Sequence, residues 1–297
     1  MRKFKEFIIE KLVLISGLAS IFFVILIFLF LLKEGLALFK FVNPFEFLSG
    51  KSWYPISEPP QLGILPLILG SFVVTIGAAV ISIPIGVACA LYISEIAPGK
   101  IKEALKGGIE LLAAIPSVVL GFIGMVTLVP WVKSVFNLPT GLTALSGSIM
   151  LAFMAMPTIV SVAEDALYSV PKSYKEGALA LGATHWQTIW RVMLPAASSG
   201  ILAAVMLGIG RVIGETMAVM MITGNSAVIP KVLFSNLFGF AQPVRTMTAT
   251  IAAEMGEAVV GSEHYFALFA IGIVLFVISF AINVTADLFL HREHKKV

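Results

Sequence analysis

The chain has 297 residues, of which 59% are hydrophobic and only 12% are charged, and its formal net charge is +3. The charged share is about half of that in soluble domains, so the composition excludes an ordinary soluble enzyme and indicates an integral membrane protein. The small positive charge gives no indication of nucleic-acid binding.

Six runs without a charged residue are long enough to cross a bilayer as helices, since about 20 residues span the hydrocarbon core. They cover residues 12–32, 62–94, 111–132, 134–163, 192–210 and 264–286. The sequence therefore predicts an all-α integral membrane protein with six transmembrane helices. Residues 1–64 are expected to form an N-terminal transmembrane helix and a periplasmic loop, and residues 65–290 the main transmembrane domain.

The distribution of basic residues predicts the orientation, because lysine and arginine favour the cytoplasmic side of a membrane. With the N-terminus inside, the inner segments hold 13 of the 20 basic residues, namely Arg2, Lys3, Lys5, Lys11, Lys100, Lys102, Lys106, Lys172, Lys175, Arg191, Arg292, Lys295 and Lys296. The outer segments hold Lys33, Lys40, Lys51, Lys133, Lys231 and Arg245. Both termini and the loop at residues 170–197 are thus predicted to be cytoplasmic.

Prolines interrupt the middle spans. Pro84, Pro116 and Pro157 each remove a backbone hydrogen bond, which predicts bent helices of the kind that line a path. Glu164 and Asp165 end the fourth span near the inner surface and are expected to be solvated.

The loop at residues 170–197 is predicted to form two short helices around a turn. Ser173 with Glu176, and Thr184 with Gln187, have the spacing of capping boxes. Gly182 suits a turn with positive φ, and Pro195 is expected to close the second helix. The loop also carries the apolar residues Ala178, Leu181, Trp186, Ile189, Trp190 and Met193. These are too many for a free loop, so another surface is expected to cover them.

The fifth span contains two charged residues, which are energetically unfavourable inside a membrane. Arg211 and Glu215 are four residues apart, which on one helix predicts a shared face and an ion pair. Intramembrane charges mark functional sites, and a guanidinium binds phosphate oxygens two at a time. We expect Arg211 to meet a passing anion and Glu215 to position it; an ion pair that only fixes helix packing is the alternative.

The segment between the fifth and sixth spans, residues 225–263, is expected to lie outside. Its Arg245, Glu254 and Glu257 suggest a short amphipathic surface helix. Such a helix would receive a soluble binding protein, line the mouth of a path, or simply be solvated.

Two stretches of the second half resemble known transporter sequences. EGALALGATHWQTIWRVMLPAA resembles the cytoplasmic EAA loop of ABC-transporter permeases, and Gly177 replaces the second residue of the family's triplet. The resemblance implies a coupling helix that docks in a separate ATPase subunit. The alternatives are an amphipathic helix that only lies on the surface and a DNA-reading helix-turn-helix, which does not suit a loop between two spans. The residues assigned to coupling are Glu176, Gly177, Ala178, Gly182, Trp186, Leu194 and Pro195.

GRVIGET at residues 210–216 resembles the charged motif of phosphate permeases of the PstC type, in which the positions of Arg211 and Glu215 are implicated in phosphate movement. LSGKSWYP and GILPLILGSFVVT resemble the first outer loop and second span of the same family. The resemblance implies a MetI-like fold, a prokaryotic inner membrane, a second permease subunit, two ATP-binding subunits and an outer phosphate-binding protein. A sulfate or molybdate permease would suit the same arginine.

No nucleotide-binding motif, catalytic triad or metal-ligand spacing occurs in the sequence, so neither a cofactor nor a metal is expected. Three classes of function remain: a permease subunit driven by a separate ATPase, a secondary anion transporter or channel, and a membrane enzyme acting on phosphate groups. A secondary transporter is expected to show inverted repeats, which are not evident here. The permease class alone accounts for a capped, apolar cytoplasmic loop.

Overall fold

The computed structural model describes residues 2–230 and 237–294. Its helices are α1 Arg2–Ala37, α2 Pro44–Ser49, α3 Leu65–Leu91, α4 Gly99–Ala114, α5 Ser117–Ile123, α6 Val129–Val135, α7 Ala144–Tyr168, α8 Lys172–Ala180, α9 His185–Thr188, α10 Leu194–Ala196, α11 Ser198–Gly214, α12 Met217–Ile222, α13 Met247–Glu254 and α14 Glu263–His294. Two antiparallel strands, β1 Trp53–Tyr54 and β2 Gln61–Leu62, lie between α2 and α3. Of the basic residues that predict orientation, Lys231, Lys295 and Lys296 lie outside the described ranges.

Six membrane spans account for most of this helical structure. Five segments are long and apolar enough to cross a bilayer, and a sixth results when His185–Ala196 and Ser198–Gly214, which are bent by 70°, count as one span. The five are Ile9–Lys40, Leu65–Ile96, Ser117–Val135, Ala144–Tyr168 and Glu263–Thr285. The prediction of an all-α membrane protein is confirmed.

The third span begins later than the sequence predicts. α4 ends at Ala114, the backbone is extended at Ile115 (ψ 127°), and a new helix starts at Ser117. Proline disfavours the α conformation of the residue before it, so Pro116 ends α4 instead of bending a continuous span. α4 has no buried residue and packs only at the edge of the apolar core, through Ile109 and Leu112.

α7 forms the centre of the bundle, and small residues of its neighbours let it pack closely. A buried apolar cluster joins it to α3, α5, α11 and α12. Ile159 of α7 is fully buried between Gly86 of α3 and Gly208 of α11. A Cβ on Gly86 would lie 2.8 Å from Ile159 Cγ2, and one on Gly208 would lie 2.4 Å from Ile159 Cγ1. Glycine thus permits both helix crossings.

A second apolar cluster closes the end of the bundle that carries the strands. Phe47, Trp53 and Leu62 from the loop after α1 pack with Met247 of α13 and Leu268 of α14. α1 lies against α14, where a Cβ on Gly35 would come within 2.5 Å of Ile273 Cδ1. Most other side chains of α1 are exposed and apolar, as expected for a helix that faces lipid.

Candidate functional site

The fifth span is broken at Glu215. α11 ends at Gly214, Glu215 has an extended backbone (φ −70°, ψ 131°), and α12 begins at Met217. The prediction that Arg211 and Glu215 share one helix face and pair is therefore wrong. The i,i+4 rule holds only within a continuous helix, and here the second charge lies beyond the helix end.

Arg211 remains near the end of α11 and makes one contact to α7. Its Nη1 donates to Thr158 Oγ1 at 3.2 Å, and the side chain is exposed. Within the described residues the guanidinium has no carboxylate partner. Its remaining N–H groups can therefore donate to two oxygens of an oxyanion, in the bidentate arrangement that the planar guanidinium favours.

Glu215 instead belongs to the other side of the break. Its Oε1 accepts a hydrogen bond from Ala218 N at 3.3 Å, at the start of α12, and its carbonyl accepts one from Thr248 Oγ1 at 3.0 Å. Thr248 in turn lies 3.1 Å from Thr246 Oγ1. The break is thus lined by buried hydroxyl groups that the sequence analysis did not select, although the sequence TMTAT carries them.

The helix that contains these threonines is not a surface helix. Met247, Thr248, Ala249 and Thr250 of α13 are all buried, which corrects the expected outer amphipathic helix. Thr246 caps α13 by accepting from Ala249 N. The helix places Thr248 beside Glu215 because it packs between α12, α3 and α14.

The charges at the ends of α13 form a network around Glu254. Glu254 accepts hydrogen bonds from Arg245 Nη1 at 2.5 Å, from Trp53 Nε1 at 3.1 Å, and lies 2.9 Å from His264 Nε2. Glu254 therefore holds the loop that carries β1 against α13 and α14, whereas Glu257 is exposed. These contacts give Arg245 a structural role.

The predicted helix-turn-helix lies at residues 170–197. α8 begins after Pro171 without a side-chain cap, so the capping box predicted at Ser173 is wrong: Pro171 holds the cap position, and Ser173 lies inside the helix. Gly182 has φ +84°, and Ala183 N bonds to Ala178 O while Gly182 N bonds to Leu179 O. This is the Schellman arrangement that glycine favours at a helix end.

The second half of the loop agrees with the prediction at Thr184, where it begins, but not at Pro195, where the helix was expected to end. The capping box of Thr184 and Gln187 is present, with bonds of 2.9 and 3.3 Å. The helix widens into a π turn over Ile189–Met193, in which Leu194 N bonds to Ile189 O. Pro195 does not end it, because α10 continues to Ala196 and the 70° bend follows.

The exposed residues of this loop form an uncovered apolar surface. Trp186 is 59% exposed and Trp190 is 50% exposed, and their rings meet edge to face at 5.8 Å. Leu181 at the turn is 91% exposed. Ile189 and Met193 are buried against the bundle, so only part of the predicted apolar set needs an external cover.

Buried carboxylates connect the bundle to its basic loops. Glu164 is buried and lies 3.2 Å from Lys102 Nζ and 2.9 Å from Lys106 Nζ, so the expectation of a solvated residue is wrong for Glu164, whereas Asp165 is exposed as expected. The hydrogen bond to Glu164 raises the pKa of Lys106 above its usual value. Glu95, at the end of the second span, pairs with Lys175 of α8 at 2.6 Å.

Comparisons with known proteins agree with this arrangement. Residues 82–295 match the family model for the binding-protein-dependent transport system inner membrane component. The chain is 45% identical over 239 residues to the probable ABC transporter permease protein YqgH of Bacillus subtilis, covering 80% of this chain and 75% of that protein. It is 35% identical over 267 residues to the phosphate transport system permease protein PstC of Mesorhizobium japonicum, covering 84% and 79%.

Solved structures show the same fold at low sequence identity. A bacterial ABC transporter involved in the import of the acidic polysaccharide alginate contains a chain with a TM-score of 0.63 and 17% identity, covering 98% of this chain and 99% of that one. The MetNI methionine ABC transporter contains one with a TM-score of 0.60 and 17% identity, covering 80% and 99%. The fold predicted from the resemblance, MetI-like, is thereby confirmed.

Proposed function

The chain belongs to the family of binding-protein-dependent transport system inner membrane components, and from this premise we propose that it is the permease subunit of an ATP-driven importer of inorganic phosphate. It is a transport subunit and not an enzyme, and ATP hydrolysis belongs to a separate subunit. The observation that carries the proposal is the exposed helix-turn-helix at residues 170–197, whose Trp186 and Leu181 have no cover within the described residues.

The coupling role is assigned to this loop because its base is buried in the bundle while α8 and Trp186 remain exposed to a partner. We assign contact with the ATPase to Glu176, Gly177, Ala178, Gly182, Trp186, Leu194 and Pro195. Glu176 and Gly177 are exposed on α8, and no described atom lies within 4 Å of a Cβ placed on Gly177. A small residue there leaves the surface open to a close partner.

Phosphate is the proposed substrate for two reasons. Relatives named as phosphate transport system permease proteins are similar to this chain over most of its length. Arg211 also offers hydrogen-bond donors that suit an oxyanion. We propose that Arg211 binds the anion. Glu215 shapes the path from across the helix break, where its carboxylate is held by Ala218 N. Arg211 acts from α11 and Glu215 from the break that follows it, and the two do not form an ion pair.

The proposed assembly contains a second permease subunit similar to this one, two ATP-binding subunits and an outer phosphate-binding protein. We place both termini and the coupling loop on the cytoplasmic side of a prokaryotic inner membrane. Residues 1–64 would add a helix and an outer loop to the permease domain at residues 65–290. A binding protein would dock on the face that carries the strands and the exposed Glu257.

Reconstitution of the assembly in liposomes tests the proposal. Uptake of labelled phosphate should require this chain, the ATPase subunits and ATP; uptake by the chain alone would indicate a secondary transporter or channel. In assembled complexes, Arg211→Leu should raise the phosphate KM strongly, and Glu215→Gln should reduce uptake. Unchanged uptake in both variants would reject the assigned roles, and sulfate or molybdate uptake in place of phosphate would reject the substrate.

A further inference from the structure

α8 is the least supported helix of the proposed coupling loop. None of the residues in α8 is buried, although the helix carries Glu176 and Gly177. The two ends of the loop are held differently, because Val170, Met193 and Ala197 are buried in an apolar cluster with α3, α7 and α11. α8 therefore stands out from a loop whose base is fixed.

One ion pair connects α8 to the membrane bundle. Lys175 Nζ lies 2.6 Å from Glu95 Oε2, and among residues 2–230 and 237–294 this is the only side-chain hydrogen bond from α8 to a residue outside the loop. Glu95 is 7% exposed at its side chain, and Lys175 is 34% exposed. A buried carboxylate that loses its partner is strongly destabilised, so the contact favours a single position of α8.

Glu95 is itself held in a defined place. It lies in the π turn Tyr92–Ile96 that continues α3, and its Oε1 accepts from Ser94 Oγ at 3.3 Å. The neighbouring Ile93 is buried in the cluster at the base of the loop. A displacement of Lys175 is therefore transmitted through Glu95 to the end of the second span.

From α3, close packing continues to the proposed anion site. Gly86 of α3 and Gly208 of α11 both contact Ile159 of α7, and Thr158, the residue before Ile159, binds Arg211. Such contacts leave no room for one helix to move without its neighbour. α8 is thus joined to Arg211 through Glu95, α3 and α7, in addition to the direct covalent route through α11.

We propose that Lys175 and Glu95 are positioning residues that transmit the movement of α8 to the second span, so that ATP hydrolysis is coupled to transport. The proposal rests on the proposed function of the chain as an importer subunit. Neither residue touches the substrate. If the pair is broken, the ATPase still docks on α8, but α8 moves without moving α3, and ATP is hydrolysed with less transport.

The test compares purified complexes in liposomes by the phosphate transported per ATP hydrolysed. Lys175→Met should lower this ratio about fivefold or more, the range expected for loss of one coupling interaction. Lys172→Met is the matched control, since Lys172 is an exposed lysine of the same helix without an ion pair among the described residues. It should behave as wild type. Lys175→Arg should keep the ratio, and Lys175→Glu combined with Glu95→Lys should restore much of it.

Three outcomes would overturn the proposal. The first is a ratio for Lys175→Met equal to that of Lys172→Met. The second is loss of ATPase co-purification in Lys175→Met alone, because the lysine would then serve docking. The third is an equal defect in the exchanged pair and in each single variant. Failure of the proposed function is distinguishable, since wild type itself would then show no ATP-dependent phosphate uptake.

Discussion

Replacement of Gly208 by alanine tests whether the crossing of α7 and α11 is set by the absence of a side chain. The new Cβ would lie 2.4 Å from Ile159 Cγ1 and 2.8 Å from its Cδ1. Ile159 cannot turn away easily, because it is fully buried and its Cγ2 already meets Gly86 on the opposite side. The helices must therefore separate or the side chain must leave its rotamer.

The expected cost is about 1–3 kcal/mol, which is typical when a methyl group is forced into a packed core. Alanine also gains about 1 kcal/mol of helix propensity over glycine, which would hide part of this cost. Gly210→Ala is the control that separates the packing cost from this gain in helix propensity. It lies in the same helix with the same propensity gain, and no described atom lies within 4 Å of its added Cβ.

Apparent melting temperatures of the purified transporter in detergent provide the measurement. Gly208→Ala should melt roughly 2 to 10 °C below Gly210→Ala for a chain of this size. Adding Ile159→Ala should make the alanine at position 208 less harmful, because the methyl group then fills vacated space. Equal melting of the two glycine variants, or no relief from Ile159→Ala, would refute the argument from packing.

Three further predictions concern the loop, the break at Glu215 and the ion pair between α4 and α7. Thr184→Ala removes the capping box and should speed amide exchange of α9 about fivefold, from a loss of about 1 kcal/mol, whereas Thr184→Ser should not. Thr248→Val leaves the Glu215 carbonyl without its hydroxyl donor and should reduce phosphate uptake, which Thr248→Ser should preserve; equal uptake by both variants would contradict this. The contact with Glu164 raises the pKa of Lys106. It therefore stabilises the protein at pH values below the usual pKa of lysine, and this stabilisation is lost only as the pH rises through the raised pKa. Lys106→Met should therefore lower the melting temperature equally at mildly acidic and mildly alkaline pH, and a pH-dependent difference there would count against the pairing.

The sequence predicted those parts of the fold that depend on interactions between residues close together in the chain. Thr184 and Gln187 form their capping box, and Gly182 takes the positive φ that its position between two helices requires. The capping box predicted at Ser173 does not form because Pro171 holds the cap position and starts the helix two residues earlier. The six spans were predictable because hydrocarbon demands long apolar runs.

Tertiary contacts account for what the sequence did not reveal. Glu164 was expected in solvent, but Lys102 and Lys106 come from α4, far along the chain. α13 was expected at the surface because Arg245 and Glu254 resemble a solvated face, whereas Glu254 is paired with Arg245 and with Trp53 and His264 from distant elements. The hydrophobic periodicity of a single segment does not reveal partners that come from other segments.

The break at Glu215 matters most for function, and it changes how the two charges can work. Arg211 lies on α11, which continues from the proposed coupling loop and is bound to α7 through Thr158. Glu215 is held by α12 and α13 through Ala218 and Thr248. The two side chains are therefore fixed by different contacts, Arg211 by α7 and the Glu215 carboxylate by the start of α12, although α11 and α12 pack in one apolar cluster. Among the described residues this leaves the guanidinium without a carboxylate and open to an anion, which an ion pair within one continuous helix would prevent.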